Sequence, residues 1–417
     1  MADFRRFWLS RFCAILASTA MAVVIGWQVY DLARAQYGMS PGQAAFQLGL
    51  IGLVQFLPML VLAPVAGLAA DRLDRRKVGA LALAVDFAMA LGLGSLTASG
   101  SLTLPSLFAL ASLHGVARAF FGPAFNALGP SIVPAALLPR SISLSSMAMQ
   151  IGLLGGPATG GFLYAAAPSA PYWAALALLA IAIVAVLAIK PFPLPQVEID
   201  EHPLRQIAEG FVYVRRERLL LGCITLDLFA VLLAGATALL PVYARDILTW
   251  NGHPVGPAGL GQMRAAPAIG ASAVALLLSF RPIRHNVGIK MLAAVVVFGT
   301  VTVVFGISRN YVLSLAMLVV LGAADMISVF IRGALVQLNT PDAMRGRIAS
   351  ISGLAISASN ELGEMQSGLA AALLGATGAV VFGGAGAIVI TLCWAVLFPE
   401  LRRSRTFADA YAQEAPA

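Results

Sequence analysis

The chain has 417 residues, of which 59% are hydrophobic and only 11% charged, with a formal net charge of +8 and a mean hydropathy of +0.87. Soluble chains are about 45–50% apolar and about 25% charged, so 27 Lys and Arg with 19 Asp and Glu cannot cover a globular surface of this size. Soluble enzymes, disordered chains and secreted disulfide scaffolds are excluded, and a polytopic membrane protein remains. Cys13, Cys223 and Cys393 lie in apolar runs far apart, without a CxxC pair, and read as small apolar fillers.

A membrane-crossing helix needs about 20 apolar residues. The first run, 10–33, follows Arg5, Arg6 and Arg11 as the core of a signal peptide would, but further spans and no convincing cleavage site make it an uncleaved first helix. Then come 42–69, 78–99, 103–127, 140–166 and 171–190. The longest polar interval, 191–218, follows. In it Leu204, Ile207, Ala208, Phe211 and Val214 recur at helical spacing among Arg205, Glu209, Arg215, Arg216 and Arg218, which predicts an amphipathic helix on the anionic inner leaflet. The second half offers 219–245, 256–280, 287–308, 311–336, 346–375 and 377–398. The predicted class is therefore an all-α membrane protein of twelve transmembrane helices in two six-helix bundles. Its divisions are an N-terminal bundle (1–190), a cytoplasmic linker with an amphipathic helix (191–218), and a C-terminal bundle with a short cytoplasmic tail (219–417).

Lys and Arg gather in cytoplasmic loops. With the N-terminus inside, 21 of the 27 basic residues fall on the cytoplasmic side and only Arg34, Arg245 and Arg309 outside. Both termini are therefore expected in the cytoplasm. The positive charge is a topology signal spread over short loops, not a nucleic-acid footprint.

Two motifs are more specific than hydropathy. Between the second and third spans stand Gly67, Asp71, Arg72, Asp74, Arg75 and Arg76. They resemble the Gly-x-x-x-Asp-Arg-x-Gly-Arg-Arg signature of the major facilitator superfamily, with Asp74 in place of its Gly. Gly67 would permit a close helix approach, Asp71 would accept charge-assisted bonds at a helix terminus, and the arginines would anchor the loop. In the fifth span, Gly152, Gly156, Pro157, Gly160 and Gly161 resemble the exporter signature of the same superfamily, with Ser143 where an upstream Gly is usual. Glycines four residues apart make a groove for a partner helix and Pro157 bends the span. The second half carries weaker echoes at Arg281–Arg284 and at Pro341, Asp342, Arg345, Gly346 and Arg347. The run Ser359–Glu364, with Asp31 after Tyr30, resembles the branch containing siderophore and macrolide exporters. The resemblance implies inverted three-helix repeats, substrate bound between the bundles near the midplane, and proton-coupled efflux.

Charges inside spans are costly, about 2.5–3.5 kcal/mol each on insertion scales, so they mark function or pairing. Six acids qualify as proton-coupling candidates: Asp31, Asp86, Asp227, Asp325, Glu361 and Glu364. Against them stand three permanent cations, Arg118, Arg264 and Arg332, together with His114. The negative excess calls for a retained proton. Glu361 and Glu364, one turn apart, would couple and share one. Asp325 and Arg332 lie two turns apart, about 10.5 Å, so each needs a partner from another helix. Asp86 and Asp227, about 12 Å inside the cytoplasmic ends, suit gate contacts. Arg118, His114, Arg332 and Asn360 are candidates for substrate binding.

The reading is a secondary active transporter, not an enzyme. It would export amphipathic small molecules, drugs or siderophore-like compounds, by alternating access against a proton gradient, as a monomer in the bacterial inner membrane, without cofactor, metal or nucleic acid. A metabolite uptake carrier and a lysophospholipid flippase on the same fold are the alternatives. The scattered histidines offer no catalytic set, and no GxxxxGK[ST] loop occurs.

Overall fold

In a computed structural model, residues 2–134, 137–191, 203–341 and 344–407 are described, and they are almost entirely helical. Helices α1 (Ala2–Ala35), α2 (Pro41–Arg72), α3 (Arg75–Ala98), α4 (Leu104–Ser131), α5 (Leu138–Ala166) and α6 (Ala170–Leu187) match the first six predicted spans. Their starts are locally encoded. Ser40 and Gln43 close a capping box on α2, Thr103 and Ser106 another on α4, and each of these two helices has Pro in its first turn.

After the 14-residue α7 (Pro203–Arg216) comes α8 (Arg218–Leu233). The seventh span does not run on as one helix. It breaks after Leu233 into a 3-10 turn (Ala236–Leu239), the short α9 (Leu240–Val242) and a π-helical turn (Tyr243–Ile247). The cause is local. Pro241 lacks an N–H donor, and a Cβ at Gly235 would stand 2.7 Å from the Gly363 carbonyl oxygen. A two-residue hairpin, β1 (Thr249–Trp250) with β2 (His253–Pro254), leads to α10 (Gly256–Phe280), α11 (Val287–Ile307) and α12 (Tyr311–Leu338). The 53-residue α13 (Arg345–Leu397) is two helices joined at Gly375, whose φ of 73° and ψ of 164° lie outside the helical region, between the last two predicted spans. The short α14 (Pro399–Arg403) closes the described chain. Ten of these segments are long and apolar enough to cross a membrane among the described residues, the joined α13 being one of them.

The chain folds as two compact units. The first comprises Met1–Glu198 with Leu240–Ala265, the second Ile199–Leu239 with Ala266–Ala417. In the first, α1 packs on α5 and α6, α2 on α4, and α3 on α4 and α6. In the second, α8 packs on α13, and α11 on α12 and α13. These three contacts of the second unit have counterparts in the first, α1 with α5 and α6 and α3 with α4 and α6. Interiors are rich in alanine and glycine, which let helices approach closely where lipid supplies no hydrophobic drive between them. Large apolar side chains point outward instead, among them Leu81, Val184, Phe280 and Leu373.

The exporter-like glycines of α5 form the predicted groove. A Cβ at Gly152 would stand 2.6 Å from Ile15 Cγ2, one at Gly156 2.9 Å from the Leu16 carbonyl oxygen, and one at Gly160 2.7 Å from that of Ala20. The Thr19 hydroxyl donates to the Gly152 carbonyl at 3.0 Å across the seam. Gly161 faces the start of α10, where a Cβ on it would stand 2.9 Å from Gly261 Cα.

Candidate functional site

The loop from α2 to α3 is an arginine clamp. Arg75 is buried and reaches back to the Ala70 carbonyl (3.0 Å) and across to the Ser131 hydroxyl (2.6 Å) at the end of α4. Arg76, also buried, donates to the Ile189 carbonyl (2.5 Å) just after α6. Asp74, the departure from the family signature, has a job of its own. It caps α3 by accepting from the Arg76 backbone N–H (3.0 Å) and grips the Arg76 guanidinium at 3.0 and 2.6 Å. Hydrogen bonding to Arg76 holds the Asp74 carboxyl below its ordinary range. Arg72 is exposed. Gly67 makes no close helix approach: nothing described lies within 4 Å of a Cβ placed there. The side chains of Asp71 and of Leu204, Arg205, Ile207 and Ala208, and the whole of Asp342, lie outside the described residues.

In the first unit, His114 of α4 is not a lone packing residue. Its Nδ1 lies 2.8 Å from Asp86 Oδ1 of α3 and its Nε2 3.3 Å from the Ser18 hydroxyl of α1. Both His114 and Asp86 are buried. Asp86 is thus held inside the bundle by His114, where its place in the sequence suggests a gate contact. Arg118, one turn further along α4, is half-buried.

A second cluster of the first unit joins the end of α1 to the π-helical turn. The Tyr30 hydroxyl donates to Asp246 Oδ2 at 2.5 Å, and Arg34 Nε lies 3.6 Å from the same oxygen. Arg245 pairs with Asp31 at 3.2 Å and sits 5.9 Å above the Tyr30 ring. Of these, the sequence singles out only Asp31 for its charge. Arg34 and Arg245 read there as loop charges, and Asp246 escapes notice. Adjacent opposite charges ending the first span of each half are the available signal.

The second unit answers the question of partners for α12. Arg332 forms a buried ion pair with Asp227 of α8, the neighbouring helix its position required, so Asp227 is likewise engaged within its bundle. Asp325, two turns before Arg332, is half-buried and within electrostatic reach of both Asp227 and Arg332. Two carboxylates therefore attend one guanidinium. Arg332 also borders a cavity of about 270 Å³ between α12 and the start of α13, with Gln337, Thr340, Arg345 and Ser352.

Glu361 is buried, Glu364 half-buried and Asn360 exposed on α13. Between the two glutamates, Gly363 lies against the last carbonyls of α8, 3.0 Å from Val231 O and 3.3 Å from Leu232 O at its Cβ position. The glutamates thus flank the break in the seventh span. α7 docks on α13 through Arg347 and Glu209 (2.5 Å), burying Val214 while Phe211 and Val212 stay exposed.

Paired charges inside apolar helices, a broken span and a glycine-seamed bundle define a multi-pass membrane transporter. The chain belongs to the Major Facilitator Superfamily, whose family model matches residues 7–364. Among curated proteins it is similar to the enterobactin exporter EntS of Citrobacter koseri, 28% identical, covering 96% of this chain and 93% of that one. The Escherichia coli O1:K1 / APEC protein of the same name matches at the same identity and coverage. Solved structures share the fold. A POT family transporter in complex with 5-aminolevulinic acid has a TM-score of 0.71 at 13% identity, covering 96% of this chain and 97% of that one. A bacterial homologue of the human lysosomal transporter Spinster has a TM-score of 0.70 at 14% identity, covering 98% of each chain. These relatives and neighbours are transporters, not enzymes.

Proposed function

We propose that the protein is a proton-coupled exporter of amphipathic small molecules of the siderophore class in a bacterial inner membrane, working by alternating access as a monomer. Twelve spans, with α5 and the two halves of α13 counted separately, would place both termini in the cytoplasm with the basic loops. Each six-helix half acts as one bundle, joined by the linker that carries α7. The observation that carries proton coupling is the arrangement of Asp227, Asp325 and Arg332. One cation cannot neutralise two carboxylates, and a net negative charge in an apolar bundle favours uptake of one proton. Asp227 is occupied by Arg332, which leaves Asp325 as the acid that gains and loses it. The cavity beside this cluster reaches Arg332.

Export as the direction is supported by the glycine groove of α5 and by relatives named as enterobactin exporters. Glu361 and Glu364, beside the broken span, are assigned to substrate-linked closure, since discontinuous helices build binding sites in such carriers. Arg118 and Asn360 remain candidates for substrate contact. The buried His114–Asp86 pair is a second polar contact inside the first unit. The test is secretion of a catecholate siderophore, together with drug susceptibility, in a strain lacking its own exporters. Expression of this chain should restore secretion. Intracellular accumulation of the compound would show uptake instead, and lipid scrambling without secretion would show a flippase.

A further inference from the structure

Two neighbouring cavities lie beside the start of α1 in the first unit. The larger, about 460 Å³, is apolar except for Arg5 and Ser141 and is walled by Phe4, Trp8, Leu137 and Leu144. The smaller, about 240 Å³, shares Phe4 and Ser141 with it and leads to Arg11, Asn126, Ser145 and Ser146. Among the described residues, no carboxylate lines either one. Arg11 Nε is buried and meets no hydrogen-bond acceptor among the described residues. Arg11 stands six residues, about 9 Å, deeper along α1 than Arg5. Trp8 is fixed between them by donation from its indole N–H to the Leu144 carbonyl at 2.8 Å.

An apolar chamber beside a smaller one that carries Arg11, Asn126 and three serines, with the buried Arg11 Nε lacking an acceptor, fits an anionic amphiphile. A small hydrated anion would leave the larger chamber unused. The site sits at the start of α1, among an arginine and a tryptophan of the kind that mark a membrane interface, on the side of the basic loops, where the facing leaflet is rich in anionic lipid. We propose that the two cavities bind one anionic phospholipid of that leaflet, its phosphate on Arg11 with Ser145, Ser146 and Asn126, and a stretch of acyl chain along Phe4, Trp8 and Leu144. This site is independent of the direction of transport and of the acid that carries the proton.

The test is native mass spectrometry of the full chain released from nanodiscs of equal phosphatidylglycerol and phosphatidylcholine. One phosphatidylglycerol per chain should be retained in preference to phosphatidylcholine. Arg11→Gln should weaken retention about fivefold, the loss of one cation–headgroup contact, and Arg11→Lys should restore part of it. Leu144→Trp, which narrows the apolar chamber and keeps both charges, should also reduce it, whereas the remote Arg309→Gln should not. Equal retention of the two lipids, or phosphatidylglycerol retention indifferent to both Arg11→Gln and Leu144→Trp, would overturn the proposal. So would displacement by millimolar inorganic phosphate, which would mark a plain anion site, or by a catecholate siderophore alone, which would mark a substrate site.

Discussion

At Asp227, Asp325 and Arg332, the chemistry rests on one missing positive charge. Removing one member of a buried ion pair leaves the other uncompensated and costs about 3–5 kcal/mol. Asp227→Asn and Arg332→Gln should therefore both lower the melting temperature sharply, while the joint replacement of both by leucine should cost less than the two single losses summed. Asp325→Asn removes excess negative charge and should leave the melting temperature near that of the parent chain. Measured thermal unfolding in detergent checks all four variants. Asp74 is a different case, because its carboxyl is held low by Arg76. Its contribution is complete above the ordinary aspartate value of about 3.9 and fades as pH falls below it. The stability deficit of Asp74→Asn should accordingly be constant from about pH 5 to about pH 8 and shrink below about pH 4. The need of Arg332 for a partner from another helix is legible in the sequence, since seven residues on one helix hold the charges too far apart. That the partner is Asp227 is not, because spacing along a chain says nothing about which neighbour faces it. Asp246 escapes for the same reason: beside Arg245 it looks self-neutralised, whereas in space it serves Tyr30 and Arg34 of α1.

Among the helices, α5 carries the plainest sequence signal, and its glycines pack closely on α1. Its glycines at intervals of four admit the backbone of α1, so a side chain there must push the helices apart, at about 1–3 kcal/mol or more for overpacking. Gly160→Leu should destabilise the protein and abolish transport, whereas Gly67→Leu, with open space at its Cβ position, should be tolerated. Thermal unfolding and a secretion assay separate the two. Gly375 tests backbone alone: its φ of 73° and ψ of 164° fall in a region nearly confined to glycine, and nothing described within 4 Å would hinder a methyl group. Gly375→Ala should thus cost about 1–3 kcal/mol of strain without any clash. Apart from α1, which begins eight residues before its predicted start, spans marked by hydropathy lie within a few residues of the observed helices because apolar length is a property of the segment itself. The break after Leu233 escapes that reading. Gly235 and Pro241 are common enough inside membrane helices, and only the approach of Gly363 shows why this span unwinds there.

Across the whole molecule, the two units repeat one packing scheme, α1 with α5 and α6 answered by α8 with α13, and α3 with α4 by α11 with α12. Each unit also sets a cation beside a cavity, Arg11 of α1 in the first and Arg332 of α12 in the second. Their surroundings differ. Arg332 has two acids beside it, whereas no acid lines the Arg11 cavity among the described residues, so the proton is assigned to the second unit and the anionic lipid to the first. Class and family are readable from composition, one glycine–arginine motif and one glycine–proline motif; the division of labour between the units is not, since it depends on which charges meet. Proton exchange at Asp325 is tested by fluorescence quench recovery in acid-loaded inverted vesicles on addition of a catecholate siderophore. The parent chain should alkalinise the lumen on substrate addition, and Asp325→Asn, folded and present in equal amount, should not. Equal alkalinisation by both would contradict the assignment.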